Sequence, residues 1–426
     1  MPVARRVFCR RAIRAYDALN FAARESAKSH RAPGRPFAMP FKHLTPLAVS
    51  LSALSLAACS GGGDQRRQPD GPPSIAYQVE AVAEGLSYPW DIEFLPGGDI
   101  LVTERTGALR VIRGGALLDD PVENTPEVYA EGQAGLFEVM AGPDFAETGT
   151  VFVSYAAGQA DANTTVVERA RLSRGALVDR EVIFEAAPRR GTSSHYGGRM
   201  AFLDDGTIAL TLGDAFELRE QAQVLNNHLG TIVRFNPDGS IPQDNPFADP
   251  PADADIAPLA EIYSYGHRNV QGVAWDDPRG ILWAHEHGPQ GGDELNIIDP
   301  GNNYGWPVVT EGIDYNGARI TPYESNEAFG SMAPVHGWTP SIAPSGLSIY
   351  RGELFAGWDG DLFVSALAGG AVHRVAVDDL GNFVEEEVLF SERAERFRHV
   401  VPGPDGALWL LVDAEDGAVL RVTPQD

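Results

Sequence analysis

The stretch Gly191–Gly213, GTSSHYGGRMAFLDDGTIALTLG, runs directly into Asp214. His195 stands in a Gly-rich turn ahead of the apolar run Met200–Leu203. Asp204-Asp205-Gly206 makes a tight turn, and a second apolar run, Thr207–Leu212, ends just short of Asp214. Two short apolar runs joined by a Gly-containing turn predict an antiparallel hairpin. The residue ahead of the first strand and the residue after the second then lie at one end, so His195 and Asp214 can meet there. A carboxylate orienting an imidazole is what a general base needs. A histidine that merely caps the turn is the plainer alternative on this segment.

The same pattern, an apolar strand, a turn with Pro, Asp or Gly, then a second apolar strand, recurs along the chain. Asp91–Thr103, Leu136–Tyr155, Arg199–Leu212, Val273–His285, Leu347–Val364 and His399–Val412 are its six copies. Further strands follow most of them, among them Leu109–Arg113, Thr231–Phe235, Leu295–Ile298, Val372–Val375 and Val419–Val422. No long segment carries helical periodicity, and 46 Gly and 31 Pro punctuate the short strands. The fold expected is all-β, a six-bladed β-propeller of four-stranded antiparallel blades over residues 75–426, with a pair of β-sandwiches as the alternative. Uneven spacing puts long insertions between blades, notably Asp238–Ala260 and Thr310–Trp338. Propeller sites are built from loops at one mouth of the central channel, so such insertions bear on function.

The residues ahead of the repeats read differently. Leu44–Ala58 is an uncharged run of signal-peptide length, too short to span a bilayer as a helix. It ends in Leu56-Ala57-Ala58-Cys59, which resembles the lipobox of bacterial lipoproteins, and residues 59–74 form a Gly- and Pro-containing tether. Residues 39–58 are therefore expected to be a lipoprotein signal, with Met39 as its start. Residues 1–38, basic and unlike the rest, are expected to be an extension from a misassigned start codon. The expected location is the periplasm, with the membrane touched only through a lipid on Cys59. Loss of residues 1–58 removes ten of 33 basic and two of 59 acidic residues, leaving a net charge of −34. So acidic a chain repels nucleic acid and anionic lipid. Cys9 and Cys59 are the two cysteines, so the repeats hold no disulfide and rely on a core or on metal.

Six motifs then stand in order. They are Gly132-Gln133-Ala134-Gly135-Leu136, His195-Tyr196-Gly197-Gly198-Arg199, Tyr265-Gly266-His267-Arg268-Asn269, Glu286-His287-Gly288-Pro289 with Asp293-Glu294, Asn303-Tyr304-Gly305-Trp306-Pro307 and Arg396-Phe397-Arg398. Together, from about Tyr77 to Val422, they make the chain similar to the soluble PQQ-dependent aldose (glucose/sorbosone) dehydrogenases, a propeller family. The resemblance implies oxidation of an aldose at C1 to the lactone, with electrons passed to an external acceptor. It implies that His195 is the general base, taking the hydroxyl proton as hydride leaves for PQQ, and that Asp214 orients it. Arg268, Arg396 and Arg398 match family positions around this flat tricarboxylate, and Gln133 and Asn269 match its neutral partners. Gly288 and Pro289 match the turn whose carbonyls hold a calcium ion bridging to PQQ. Glu294 and Tyr304, the latter through its carbonyl, match a second, structural calcium position, with Asp293 as an alternative carboxylate there. Trp306 and Trp338 either wall the mouth or pack between blades.

Two departures are visible. Ser194 precedes the base where the glucose dehydrogenase branch has an acid, and Ala368-Gly369 stands where that branch places a Lys against PQQ. The pattern is thus nearer the aldose sugar dehydrogenase branch, which takes a broad range of sugars, with PQQ held more weakly or another residue substituting. Two other functions fit a propeller: a calcium-dependent lactonase, and a non-catalytic binding module that has lost PQQ.

Overall fold

The computed structural model describes residues 75–425 apart from 251–256 and 324. The leader, the signal, Cys59 and the tether therefore lie outside the described residues. Six four-stranded antiparallel sheets make the propeller. Blades one to five run from Pro89 to Leu117, Leu136 to Glu185, Met200 to Tyr265, Val270 to Trp338 and Pro344 to Leu389. Blade six takes three strands from Phe397–Pro424 and its outermost from Tyr77–Leu86, which pairs with Gly417–Pro424 in the register Tyr77↔Pro424 to Leu86↔Gly417. This closure of the ring by the first strand was not visible in the hairpin pattern. It ties the first strand to the last and closes the ring, covering the two blade faces that a linear array would leave open.

The core lies between blades, which explains why the strands read as continuous apolar runs. Successive side chains of a strand point to opposite faces, and here both faces are covered. Ile208, Leu210, Val233 and Phe235 of blade three pack on Phe152, Val167 and Phe184 of blade two. Ala209 and Ile232, one residue out of phase, pack on Val270, Val273 and Leu282 of blade four. Blades five and six enclose Phe363, Val372, Phe397 and Leu410 in the same way. Near the axis the blades are pinned by polar bonds: Thr103 Oγ1 donates to Phe137 O at 2.6 Å and Ser154 Oγ to Gly198 O at 2.6 Å. Arg199 closes the middle, donating to Asp91 at 2.8 Å and to the carbonyls of Gln271, Trp90 and Ser345, with its guanidinium 3.8 Å from the Trp90 ring centroid.

One expectation is corrected. Asp238–Ala260 and Thr310–Trp338 do not join blades; each connects the third and fourth strands inside a blade, three and four respectively. The chain after Ile297 leaves the far end of its strand and climbs the outer edge of blade three. Asn303 bridges Tyr265 in parallel, and Tyr304 N–H donates to Tyr265 O at 2.9 Å. An insertion that starts at the far end thereby reaches the mouth.

Candidate active site

The hairpin rule governs the whole mouth. In each blade the residues just before the innermost strand and just after the second strand stand at this one end. The rule places His195 with Asp214 in blade three, Arg268 and Asn269 with Glu286 and His287 in blade four, and Arg396 and Arg398 with Asp413 in blade six. It also places Arg105, which follows the strand Ile100–Glu104.

His195 Nδ1 and Asp214 Oδ1 are 2.6 Å apart, with both side chains buried. The strand ends that carry them must approach closely. A Cβ on Gly213 would come within 2.3 Å of His195 O, and one on Gly197 (φ 67°) within 2.3 Å of Thr211 O. The turn beyond is wound tightly, with Ala215 and Phe216 at φ 59° and 63°, a left-handed conformation that costs energy in residues with side chains. Phe216 N–H returns to Asp214 Oδ1 at 2.7 Å, and the Trp306 indole N–H reaches Asp214 Oδ2 at 2.7 Å. A carboxylate accepts only, so the proton on this pair sits at His195 Nδ1 and Nε2 keeps its lone pair. Among the described residues no group bonds His195 Nε2. Burial lowers the His195 pKa below 6.5; Asp214 opposes this, and the charges of Arg268 and Arg190 add to it. The imidazole is thus neutral and basic at neutral pH.

Next to this pair lies a cavity of about 250 Å³. Its walls include Gln133, Asn269, Arg396 and Arg398 from the sequence expectations, and Arg105, Tyr88, Trp90 and Asp413 besides. His195 and Arg268 are not in its wall; they stand beside it, behind Tyr196–Gly197 and Asn269, which are. Gln133 turns out to serve the base, accepting the His195 amide N–H at 2.8 Å through Oε1. Asn269 Oδ1 accepts from Gly197 N–H at 3.2 Å.

Asp413 holds both arginines of blade six, Arg396 at 2.8 Å and Arg398 at 3.2 Å. Its position after the strand Leu408–Val412 copies that of Asp214, so the signal that found one could have found the other. Arg398 Nε is buried and has no partner among the described residues, an orphaned donor on the cavity wall. Leu367 rather than Ala368 lines the cavity on blade five, so that side is apolar. Arg105 supplies a cation from blade one, its guanidinium 4.7 Å from the Tyr88 ring centroid.

The turn at Gly288 is tightly packed: a Cβ there would lie 2.2 Å from Gly291 O and 2.3 Å from Gly292 O. Arg268 Nη1 donates to Gly288 O at 2.6 Å and to His287 O at 3.2 Å, a cation already seated on carbonyl oxygens. Asp293 is spent on this turn, its carboxylate accepting from Gly288 N, Ser341 Oγ, Ile342 N and Ala343 N. Three of these four donors share Oδ2. Glu294 faces Glu286 across the ladder, and burial with that neighbouring charge raises its pKa well above 4.5. Tyr304 is reached from Glu286 through the His267 ring, which bonds Glu286 at 2.8 Å and stacks on Tyr304 at 4.6 Å. Among the described residues no three His, Cys, Asp or Glu side chains have the geometry of a metal site. The two tryptophans divide: Trp306 is at the mouth, while Trp338 packs between blades four and five and donates to Glu386 at 2.7 Å.

A family model described as glucose/sorbosone dehydrogenase matches residues 86–421. The aldose sugar dehydrogenase YliI of Escherichia coli is 37% identical over 82% of this chain and 93% of its own. Quinoprotein glucose dehydrogenase B of Acinetobacter calcoaceticus is 26% identical over 89% of this chain and 96% of its own. Among solved structures, the PQQ-bound aldose sugar dehydrogenase of Streptomyces coelicolor superposes with a TM-score of 0.65 at 28% identity, covering 83% of this chain and all of that one.

Proposed function

The chain belongs to the glucose/sorbosone dehydrogenase family, an oxidoreductase family, and from that premise we propose that it oxidises aldoses at C1 to lactones with PQQ held in the mouth cavity. The observation that carries this reading is the neutral His195, oriented by Asp214, beside a cavity walled by cations. The donor set suits a flat tricarboxylate: Arg396, Arg398 and Arg105 line the cavity, and the orphaned Arg398 Nε calls for an anion. PQQ, when bound, supplies a quinone carbon that accepts hydride.

The chain does the rest. His195 Nε2 removes the proton of the anomeric hydroxyl while the C1 hydrogen departs with its electron pair, so C1 becomes the lactone carbonyl. Asp214 holds the imidazole in the tautomer that leaves Nε2 free, and stabilises the imidazolium once the proton has moved. Gln133 fixes the backbone of the base. The two electrons leave to an external acceptor. Calcium would be held by the carbonyls of Gly288 and Pro289, where Arg268 already shares Gly288 O, and a second ion by Glu294 with the Tyr304 carbonyl. We place the enzyme in the periplasm on a lipid at Cys59; a Cys59→Ser chain should be released from the membrane fraction.

The test is reconstitution of the exported chain with PQQ and calcium, followed by a dye-linked assay over a panel of aldoses. Turnover that needs both additives and is lost with EDTA supports the reading; PQQ bound without sugar oxidation removes the substrate assignment. In an absorbance titration, Arg398→Met should weaken PQQ binding about tenfold or more, since a hydrogen bond between charged groups is lost.

A further inference from the structure

Trp306 was expected only to wall the mouth or fill space. Its indole N–H instead donates to Asp214 Oδ2 at 2.7 Å, the carboxylate oxygen that His195 does not use. The residue is held through its backbone as well as its ring. Its backbone N–H bonds Gly266 O at 2.9 Å, its carbonyl accepts from Gln223 Nε2 at 2.7 Å, and the Arg268 guanidinium stands 5.3 Å from its ring centroid. Asp214 is fully buried, so each donor to it is sheltered from competing water.

We propose that Trp306 is a positioning residue for the reaction read above: by holding the second oxygen of Asp214 it fixes the rotation of that carboxylate and moderates the basicity of His195. Three donors, from His195, Phe216 and Trp306, share the Asp214 charge. Without the indole the carboxylate keeps its His195 bond but is held less firmly about it, and with one donor fewer its charge falls more heavily on His195. The other groups facing His195 are the cations Arg268 and Arg190, which disfavour imidazolium, the neighbouring His287, and the edge of the Phe216 ring at 5.1 Å. None of these is displaced when only the indole N–H is removed.

The inference rests on the dehydrogenase reading, and its test separates the two. Trp306 is replaced by Phe and, to keep the shape of the indole, by benzothienylalanine, an isostere lacking the N–H. In both, kcat for an aldose should fall about tenfold, the worth of one hydrogen bond to a charged group. KM and the PQQ titration should stay near wild type, and the acid limb of kcat/KM should move to higher pH. Histidine NMR of the protein without PQQ or calcium should show His195 titrating at higher pH in the same variants. An isostere variant with unchanged kcat, pH profile and His195 titration overturns the proposal. If wild type oxidises no aldose, the dehydrogenase reading fails, and the NMR shift alone decides whether Trp306 sets the basicity of His195.

Discussion

Two imidazole–carboxylate pairs stand within one sheet boundary of each other, His195–Asp214 at 2.6 Å and His267–Glu286 at 2.8 Å. Both histidines are buried, and both carboxylates also accept a backbone N–H, from Phe216 and from Arg268. The other ring nitrogen separates them. His267 Nε2 is bonded to Ser264 Oγ at 2.9 Å and its ring is stacked on Tyr304, so the imidazole is tied at both ends. His195 Nε2 has no such partner among the described residues, and its sequence neighbours Tyr196 and Gly197 line the mouth cavity. A histidine with an acid behind it is thus a structural element or a base according to what meets its far nitrogen.

The sharpest break between the pairs is His195→Asn, which should lower kcat by about a thousandfold with PQQ binding retained, because general-base catalysis is lost outright. A residual rate near wild type would show that the pair at the mouth is structural too. His267→Asn should do the reverse, costing about 2–3 kcal/mol of stability by denaturant titration through buried groups left unpaired. Its folded fraction should keep kcat within several-fold. The pH profile refines the contrast. Since burial lowers the His195 pKa, its base form persists below pH 6.5, and the acid limb of kcat/KM should fall below that value. A limb above it would mean that Asp214 outweighs burial. Least in size, Ser264→Ala should cost about 1 kcal/mol and leave turnover unchanged, since His267 is completely buried and its freed nitrogen meets nothing to deprotonate.

Much of this was legible from short-range signals. Turn residues between paired apolar runs, as in Asp204-Asp205-Gly206, fixed six hairpins, and a hairpin fixes which residues share an end. That located His195 with Asp214, whereas the arginines of blade six came from the family resemblance of Arg396-Phe397-Arg398 and not from the hairpin. Asp413 and Arg105 obey the same rule and were overlooked because neither sits in a distinctive motif. Trp306 is different. It meets Asp214 across 92 positions, by way of a connection that starts at the far end of blade four, and no local period encodes such an approach. The closure of blade six by Tyr77–Leu86 is equally non-local. Asp293, read as a possible metal ligand, accepts from the Ser341 hydroxyl and the backbone N–H groups of Ile342 and Ala343, a partner loop that only the folded ring supplies.

The seam where Tyr77–Leu86 meets Gly417–Pro424 has a consequence for biosynthesis. Arg396, Arg398 and Asp413 lie in blade six and Arg105, Tyr88 and Trp90 in or beside blade one, so the cavity is built across the place where the ring is sewn shut. A chain whose last blade has not formed owns one wall of that cavity and lacks the other. Truncated or stalled products, whatever blades they have folded, carry an open wedge in place of a cavity. The ability to hold a small anion there thus reports on completion of the whole polypeptide.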